Sequence, residues 1–323
     1  MVKTPQEARA AASDLGGSCT IKPQILHRRR PNGSLDSGLQ AGVLSVASVA
    51  EAGEATARLL GHPIQNGGGQ GYPVEHVYVS EAVQSDREWY LAMTIDRENY
   101  CPAIVLSDKT PDEASGELVT IPFRLSEGIT SELLSRLSAH MNLPPRSSPA
   151  LKPILDALYG IFSQKDATLL EISRLALLPD GTLTCLGANF TFDDAAHKRQ
   201  PELFSLRDTH QEVTEEVEAE KYGLVYVRMD GDIGNVVNGA GLAMATNDAI
   251  GLYGGKSANF LDGGGQATKE TMVKAFGIIV ADERVKVILV NIYGGEAPQK
   301  ISACTLPRNE KANDKVQVSL TVR

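Results

Sequence analysis

The chain has 323 residues, of which 42% are hydrophobic and 22% charged, with a formal net charge of −9. That length asks for two cores, because single cores rarely grow far beyond roughly 250 residues. The acidic balance excludes a nucleic-acid surface, no apolar run approaches the roughly 18 residues of a membrane span, and four scattered cysteines without a CxxC pair exclude a zinc ribbon or a disulfide framework.

Thr4-Pro5-Gln6-Glu7 reads as a capping box with proline in the first turn, and Gly16-Gly17 stops the helix it opens. No signal or transit pattern precedes it, so the chain as written reads as cytoplasmic; a truncated N-terminus would admit a mitochondrial location. Strands are expected at 20–26 and 41–46, around a polar loop holding the basic cluster His27-Arg28-Arg29-Arg30. Ser48-Val49-Ala50-Glu51 repeats the capping device before a helix closed by Gly61. The runs EHVYVSEAV, EWYLAMTIDR and PAIVLSD are short, rich in β-branched and aromatic residues, and predict an antiparallel meander. Leu133, Leu137 and Met141 recur at helical spacing, a second apolar helix is expected over 150–163, and LLPDGTL is a turn between two strands. The first part is therefore α+β with mainly antiparallel strands.

Five glutamates between 212 and 220 mark a solvated junction helix. From 224 the rhythm becomes strand (224–229), strand (233–237), helix (241–252), strand (258–261), helix (268–281) and strand (285–293). Such alternation predicts βαβ units and a parallel sheet. The last strand, VKVILVNIY, is left as an open edge that invites association. The segment 298–323 reads as an appended tail.

Glycine-rich loops follow three successive strands of this second part: Asn238-Gly239-Ala240-Gly241, Gly263-Gly264-Gly265 and Gly294-Gly295. They are expected at the carboxyl ends of the strands, where α/β sheets bind ligands, and two of them open helices whose free N–H groups suit a carboxylate or phosphate. The first resembles a dinucleotide fingerprint, yet the third small residue is replaced by Met244, and Asp262 runs directly into the triple glycine. GLYGGKS misses a Walker loop because Ile250 stands where glycine is needed. Any of the three glycine-rich loops could also be a tight turn without a ligand.

The residues VNGAGLAMAT, GGKSANFLDGGG, VKVILVNIYGG and FTFDDAAHKRQPEL resemble the β subunit of succinyl-CoA synthetase, an ATP-grasp acid–thiol ligase. KTPQEARAAASDLGG, DSGLQAGV, SEAVQSDREWYLA and KDATLLEI resemble its N-terminal half, and the similarity is collinear over roughly residues 1–297. The resemblance implies an ATP-grasp domain over 1–219, lacking its first strand, and a partial flavodoxin-like or Rossmann-like CoA-ligase domain over 220–297. The tail 298–323 stays unmatched. It also implies formation of an acyl-CoA from succinate or a related carboxylic acid, CoA and ATP or GTP. The partner would be an α-type subunit carrying a phosphorylated histidine, with no role for nucleic acid or membrane.

Residue by residue, the resemblance makes Lys22 a phosphate-contacting lysine, Glu81 a hinge position whose neighbouring backbone reads the base, and Glu88 a carboxylate near ribose and phosphates. Glu171 becomes the carboxylate that steadies the visiting histidine. Asn238 and the loop of Gly295, Glu296 and Ala297 become acid-binding positions. The family's Mg²⁺ ligands fall on Ser173 and Gly187, and Gly187 has no side-chain oxygen. HRRRPNGS stands in place of a glycine-rich phosphate loop, and Glu296 brings a negative charge to an acid site. Two readings follow: an acid–CoA ligase subunit with Lys22 and arginines covering part of the metal's role, or a catalytically inactive interaction protein or gene fragment.

Overall fold

The computed structural model describes residues 1–25, 34–35, 42–65, 72–108, 118–264, 268–293 and 317–322. The chain divides into two compact units, Met1–Arg207 and Asp208–Arg323.

The first unit contains, in chain order, α1 (Pro5–Asp14), β1 (Cys19–Gln24), β2 (Ser34–Leu35), β3 (Leu44–Val46), α2 (Val49–Leu59), β4 (Pro63–Gln65), β5 (Tyr72–Pro73) and β6 (His76–Glu81). It continues with β7 (Arg87–Asp96), β8 (Cys101–Ser107), β9 (Val119–Pro122), α3 (Ser131–His140), α4 (Ser148–Gln164), β10 (Ala167–Leu177), β11 (Leu183–Phe192) and α5 (Pro201–Phe204). The two expected caps are present: Thr4 Oγ1 accepts from the Glu7 N–H at 3.2 Å and Ser48 Oγ from the Glu51 N–H at 3.3 Å. Each glutamate reaches back to a backbone N–H one residue before the cap, Lys3 at 2.7 Å and Ala47 at 3.0 Å.

Strand β1 pairs antiparallel with both β3 and β6. This corrects the expected meander, because β6 leaves β7 and joins the first sheet. Alternation is the reason: Ile21, Cys19 and Val77 are fully buried against α1 and α2, so β6 closes the small N-terminal core. The larger sheet runs β11-β10-β7-β8-β9, all antiparallel. One face carries Trp89, Leu91, Met93, Ile104 and Leu170 into a core closed by Leu133 and Leu137 of α3 and Leu151, Leu155 and Leu158 of α4. Each such side chain contributes roughly 1.5–3 kcal/mol of burial, which anchors the sheet and leaves its opposite face available.

The second unit contains α6 (Thr214–Glu220), β12 (Val225–Arg228), β13 (Ile233–Val237), α7 (Ala240–Leu252), β14 (Asn259–Asp262), α8 (Lys269–Ala281), β15 (Val287–Ile292) and β16 (Gln317–Val322). The division between units falls ahead of the glutamate-rich α6, which the sequence reading kept with the first domain. Ala219 is fully buried in the second core, so one face of that helix is committed to it. The sheet order is β12-β14-β13-β15-β16. Strands β13, β14, β15 and β16 run parallel, while β12 lies antiparallel on β14, from Val225↔Asp262 to Arg228↔Asn259. The short 229–232 connection has no room for a crossover helix, so β12 cannot be a parallel neighbour of β13.

The tail requires a larger correction. Residues 317–322 pair with 287–292 along the whole of β15, so β15 is an inner strand and the expected open edge does not exist there. The alternation in VQVSLTV carried that signal; the 20 positions (296–315) separating it from the quoted family motifs obscured it.

Candidate functional site

In the first unit the polar face of the large sheet gathers the expected nucleotide and histidine positions. Side chains alternate along a strand, so Glu88 and Tyr90 of β7 face the same way, as do Glu171 and Ser173 of β10 and Gly187 and Asn189 of β11. A bulge enlarges this set. The β10–β7 register runs through Ile172↔Leu91 and resumes at Leu175↔Trp89, so Ser173 and Arg174 together oppose Tyr90. Core positions shift from Leu170 and Ile172 before the bulge to Leu175 and Leu177 after it, which brings Arg174 to the polar face beside Ser173.

Glu171 is 2% exposed. Its Oε1 accepts from the Tyr90 hydroxyl at 2.6 Å and its Oε2 from Asn189 Nδ2 at 3.3 Å. Glu88 lies toward the outer end of the same face. Arg174 donates to it through Nε and Nη2, both at 2.7 Å, and Ser85 Oγ donates at 2.7 Å. The Arg174 fork holds the Glu88 carboxyl below the usual carboxylate range, and Glu88 in turn raises Arg174.

Lys22 arrives from the other sheet, opposite Tyr78 in the β1–β6 ladder. A Cβ placed on Gly187 would stand 3.8 Å from Lys22 Nζ and 2.6 Å from Ser173 Oγ. Lys22 therefore meets Ser173 and Gly187, 151 and 165 positions later in the sequence (173 − 22 and 187 − 22), across the cleft between the two sheets. Glu81 is exposed at the end of β6, opposite Cys19, where the chain crosses toward the large sheet at β7.

The resemblance implies Mg²⁺ on Ser173 and Gly187, and the donor set does not fit it. Gly187 offers no side-chain oxygen, Ser173 offers a neutral hydroxyl, and the nearest cationic group is an ammonium. Glu88 and Glu171 on this face are held by Arg174, Tyr90 and Asn189. Among the described residues no three His, Cys, Asp or Glu side chains come together as a metal cluster. Hard Mg²⁺ asks for carboxylate and phosphate oxygen in near-octahedral order.

In the second unit the first glycine loop opens α7 as expected, with Gly239 at φ 97°, a left-handed conformation that favours glycine. The open N–H groups are partly met from within the fold. Asp262 Oδ1 accepts from the Gly239 N–H at 2.6 Å and from the Gly264 N–H at 2.7 Å, so this aspartate ties two glycine loops together instead of holding a ribose. Asn238 donates from Nδ2 to the Tyr293 carbonyl at 2.7 Å and accepts at Oδ1 from the Tyr293 N–H at 2.8 Å. Its amide thus acts as one further ladder pair between the ends of β13 and β15. Gly295, Glu296 and Ala297, the Gly294-Gly295 loop and Arg28–Arg30 lie outside the described residues.

Sequence reasoning missed Arg174, Tyr90 and Asn189. Tyr90 and Asn189 were legible as the alternate partners of Glu88 and Gly187, whereas Arg174 required the bulge.

The matched families cover both units. An ATP-grasp domain model matches residues 1–177 and a CoA-ligase model matches residues 236–322, a span that includes β16. The chain is 39% identical over 305 residues to the mitochondrial ADP-forming succinate–CoA ligase subunit beta of Neurospora crassa, covering 91% of this chain and 68% of the relative. It is 35% identical over 332 residues to the mitochondrial GDP-forming succinate–CoA ligase subunit beta of Dictyostelium discoideum, covering 100% of this chain and 78% of the relative. In fold it is similar to ATP citrate lyase from Methanothrix soehngenii, solved with citrate and coenzyme A, at a TM-score of 0.65 and 16% identity over 94% of this chain and 83% of that one.

Proposed function

Because the chain belongs to the succinate–CoA ligase β-subunit family, we propose that it works with an α-type partner to form an acyl-CoA from succinate or a related carboxylic acid. ATP or GTP supplies the energy, and the phosphoryl group passes through a histidine of the partner. The observation that carries this reading is the convergence of Lys22 from one sheet on Ser173 and Gly187 of the other, with Glu88 and Glu171 along the same face. Phosphoryl transfer asks a protein mainly for positioning and electrostatic stabilisation, and this cleft supplies both.

Each residue has a role the geometry supports. Lys22 holds phosphate oxygens at the meeting of the sheets. Glu88, oriented by Arg174 and Ser85, accepts from ribose hydroxyls. Glu81 marks the crossing between sheets, where a base would lie beside the backbone that follows it. Glu171 accepts the N–H of the incoming imidazole. Tyr90 fixes its Oε1, and the longer bond from Asn189 to Oε2 is the one an imidazole would exchange for. In the second unit Asn238 shapes the acid-binding region by holding Tyr293 ahead of the loop containing Gly295, Glu296 and Ala297. Because the charged groups of the cleft are placed and partnered, the catalytic reading takes precedence over an interaction protein without activity.

The test is reconstitution. The chain mixed with an α-type subunit, succinate, CoA and ATP or GTP is expected to produce thioester, and either subunit alone to produce none. Thioester formation by this chain alone, or a stable pair that makes none with either nucleotide, would refute the reading.

A further inference from the structure

We propose that the nucleotide phosphates in this cleft are neutralised by two fixed cations, the Lys22 ammonium and the Arg174 guanidinium, so that binding requires no divalent ion. The inference rests on the ligase reading for the presence of a nucleotide, and on geometry for how its charge is met. A metal-binding side chain at position 187 would occupy space bounded by Ser173 Oγ, 2.6 Å from its Cβ, and by Lys22 Nζ, 3.8 Å away. A divalent ion there would face the Lys22 ammonium, and neither Ser173 nor Gly187 offers it an anionic oxygen. Glu171 is buried, with Oε1 bonded by Tyr90 and Oε2 by Asn189 or, in the ligase reading, by the incoming imidazole.

Phosphate oxygens, in contrast, are suited by charge-assisted donors, and Arg174 pairs with Gly187 in the β10–β11 ladder on this face. Glu88 accepts from Nε and Nη2 of Arg174 and leaves Nη1 uncommitted among the described residues, with the side chain 37% exposed. The bulge is what delivers this group: in a regular strand Arg174 would alternate to the core face behind Ser173. Gly187 is the complementary feature, because any carboxylate there would pair with Lys22 and withdraw it from the ligand. An ammonium and a guanidinium can bind the phosphates of a nucleoside di- or triphosphate through N–H donors, without the near-octahedral oxygen coordination that Mg²⁺ demands.

The full chain would be titrated calorimetrically with ADP and with ATP, in Mg²⁺ and in EDTA, beside Lys22→Met and the pair Arg174→Gln and Arg174→Gln/Glu88→Gln. The double variant removes the guanidinium without uncovering the Glu88 carboxylate, and melting curves establish that each variant is folded. The expected result is dissociation constants within about threefold in the two buffers, with a loss of about tenfold or more in EDTA for Lys22→Met and for the double variant. Tight binding only in Mg²⁺ would overturn the inference and leave the ligase reading standing. Binding in EDTA that survives in the folded Lys22→Met and double variants would also overturn it. No binding in either buffer overturns the inference, and the ligase reading falls with it only if the reconstituted subunits also make no thioester.

Discussion

Gly187→Asp places a carboxylate where this cleft has none, and its consequences can be worked from the geometry. The new Cβ would stand 2.6 Å from Ser173 Oγ, so that hydroxyl must rotate to another rotamer. The cost is about 0.5–1.5 kcal/mol, because the crowded atom is the end of a short side chain and not backbone. The Cβ stands 3.8 Å from Lys22 Nζ, so a carboxylate one bond beyond it can reach that ammonium as an ion pair. An ion pair at about 4 Å is worth about 4 kcal/mol at an effective dielectric near 20, and solvent access reduces the usable part to about 1.5–2 kcal/mol. Withdrawn from the phosphates, that attraction corresponds to about 10–30-fold weaker nucleotide binding in EDTA. Added Mg²⁺ should then recover affinity, more so when Ser173→Asn adds a second oxygen donor. Gly187→Ala is the control, since it makes the same contact without the charge and should lose less than about threefold. Calorimetric titration of the three variants with ATP, with and without Mg²⁺, decides it. Unchanged affinity of Gly187→Asp in EDTA, with normal melting, would refute the reasoning.

Three further outcomes follow from the hydrogen bonds. Tyr90→Phe removes the hydroxyl 2.6 Å from buried Glu171 and should cost about 1.5–3 kcal/mol, lowering the melting temperature of the first unit by several degrees in calorimetry. Glu88, held below the ordinary carboxylate value of 4.5 by Arg174, takes up its proton in the unfolded chain before the folded one. The stabilisation by the fork is therefore fully present above that value and lost as pH falls through the lower folded value. The melting difference between the unmodified chain and Glu88→Gln should be constant near neutrality and shrink as pH drops below 4.5. Asn238→Ala breaks both bonds to the Tyr293 backbone, so the Tyr293 amide should exchange its hydrogen about tenfold faster or more; unchanged exchange would show that the side-chain bridge does not order this strand end.

Much of this architecture was legible because local rules and global fold agree. The caps at Thr4 and Ser48, the alternation in β7 and β10 and the strand–helix rhythm after 224 each appear where their chemistry predicts. What escaped was pairing and register. Nothing local in HVYVSE says that β6 joins β1 and not β7, because the choice is made by which core, Ile21 with Val77 or Leu91 with Ile104, each strand completes. Likewise β16 carries a clear alternation but pairs with β15 only through a non-local contact. The same limit governs the site. Lys22, Ser173 and Gly187 could be named singly, but their meeting depends on two sheets facing each other, and Arg174 enters through one extra residue in a strand. Asp262 is the counter-example: its place directly before the glycines already indicated a residue that organises its own loop, as its bonds to Gly239 and Gly264 show.

The most direct test of the account follows the phosphoryl group in a single turnover. An α-type subunit is incubated with γ-labelled ATP or GTP, with and without this chain, and then chased with the unlabelled nucleoside diphosphate. The account predicts label on a histidine of the α-type subunit only when this chain is present, discharged by the diphosphate and slowed at least tenfold by Lys22→Met. A stable complex of the two subunits that transfers no label, or transfer that is indifferent to the loss of Lys22, would contradict it.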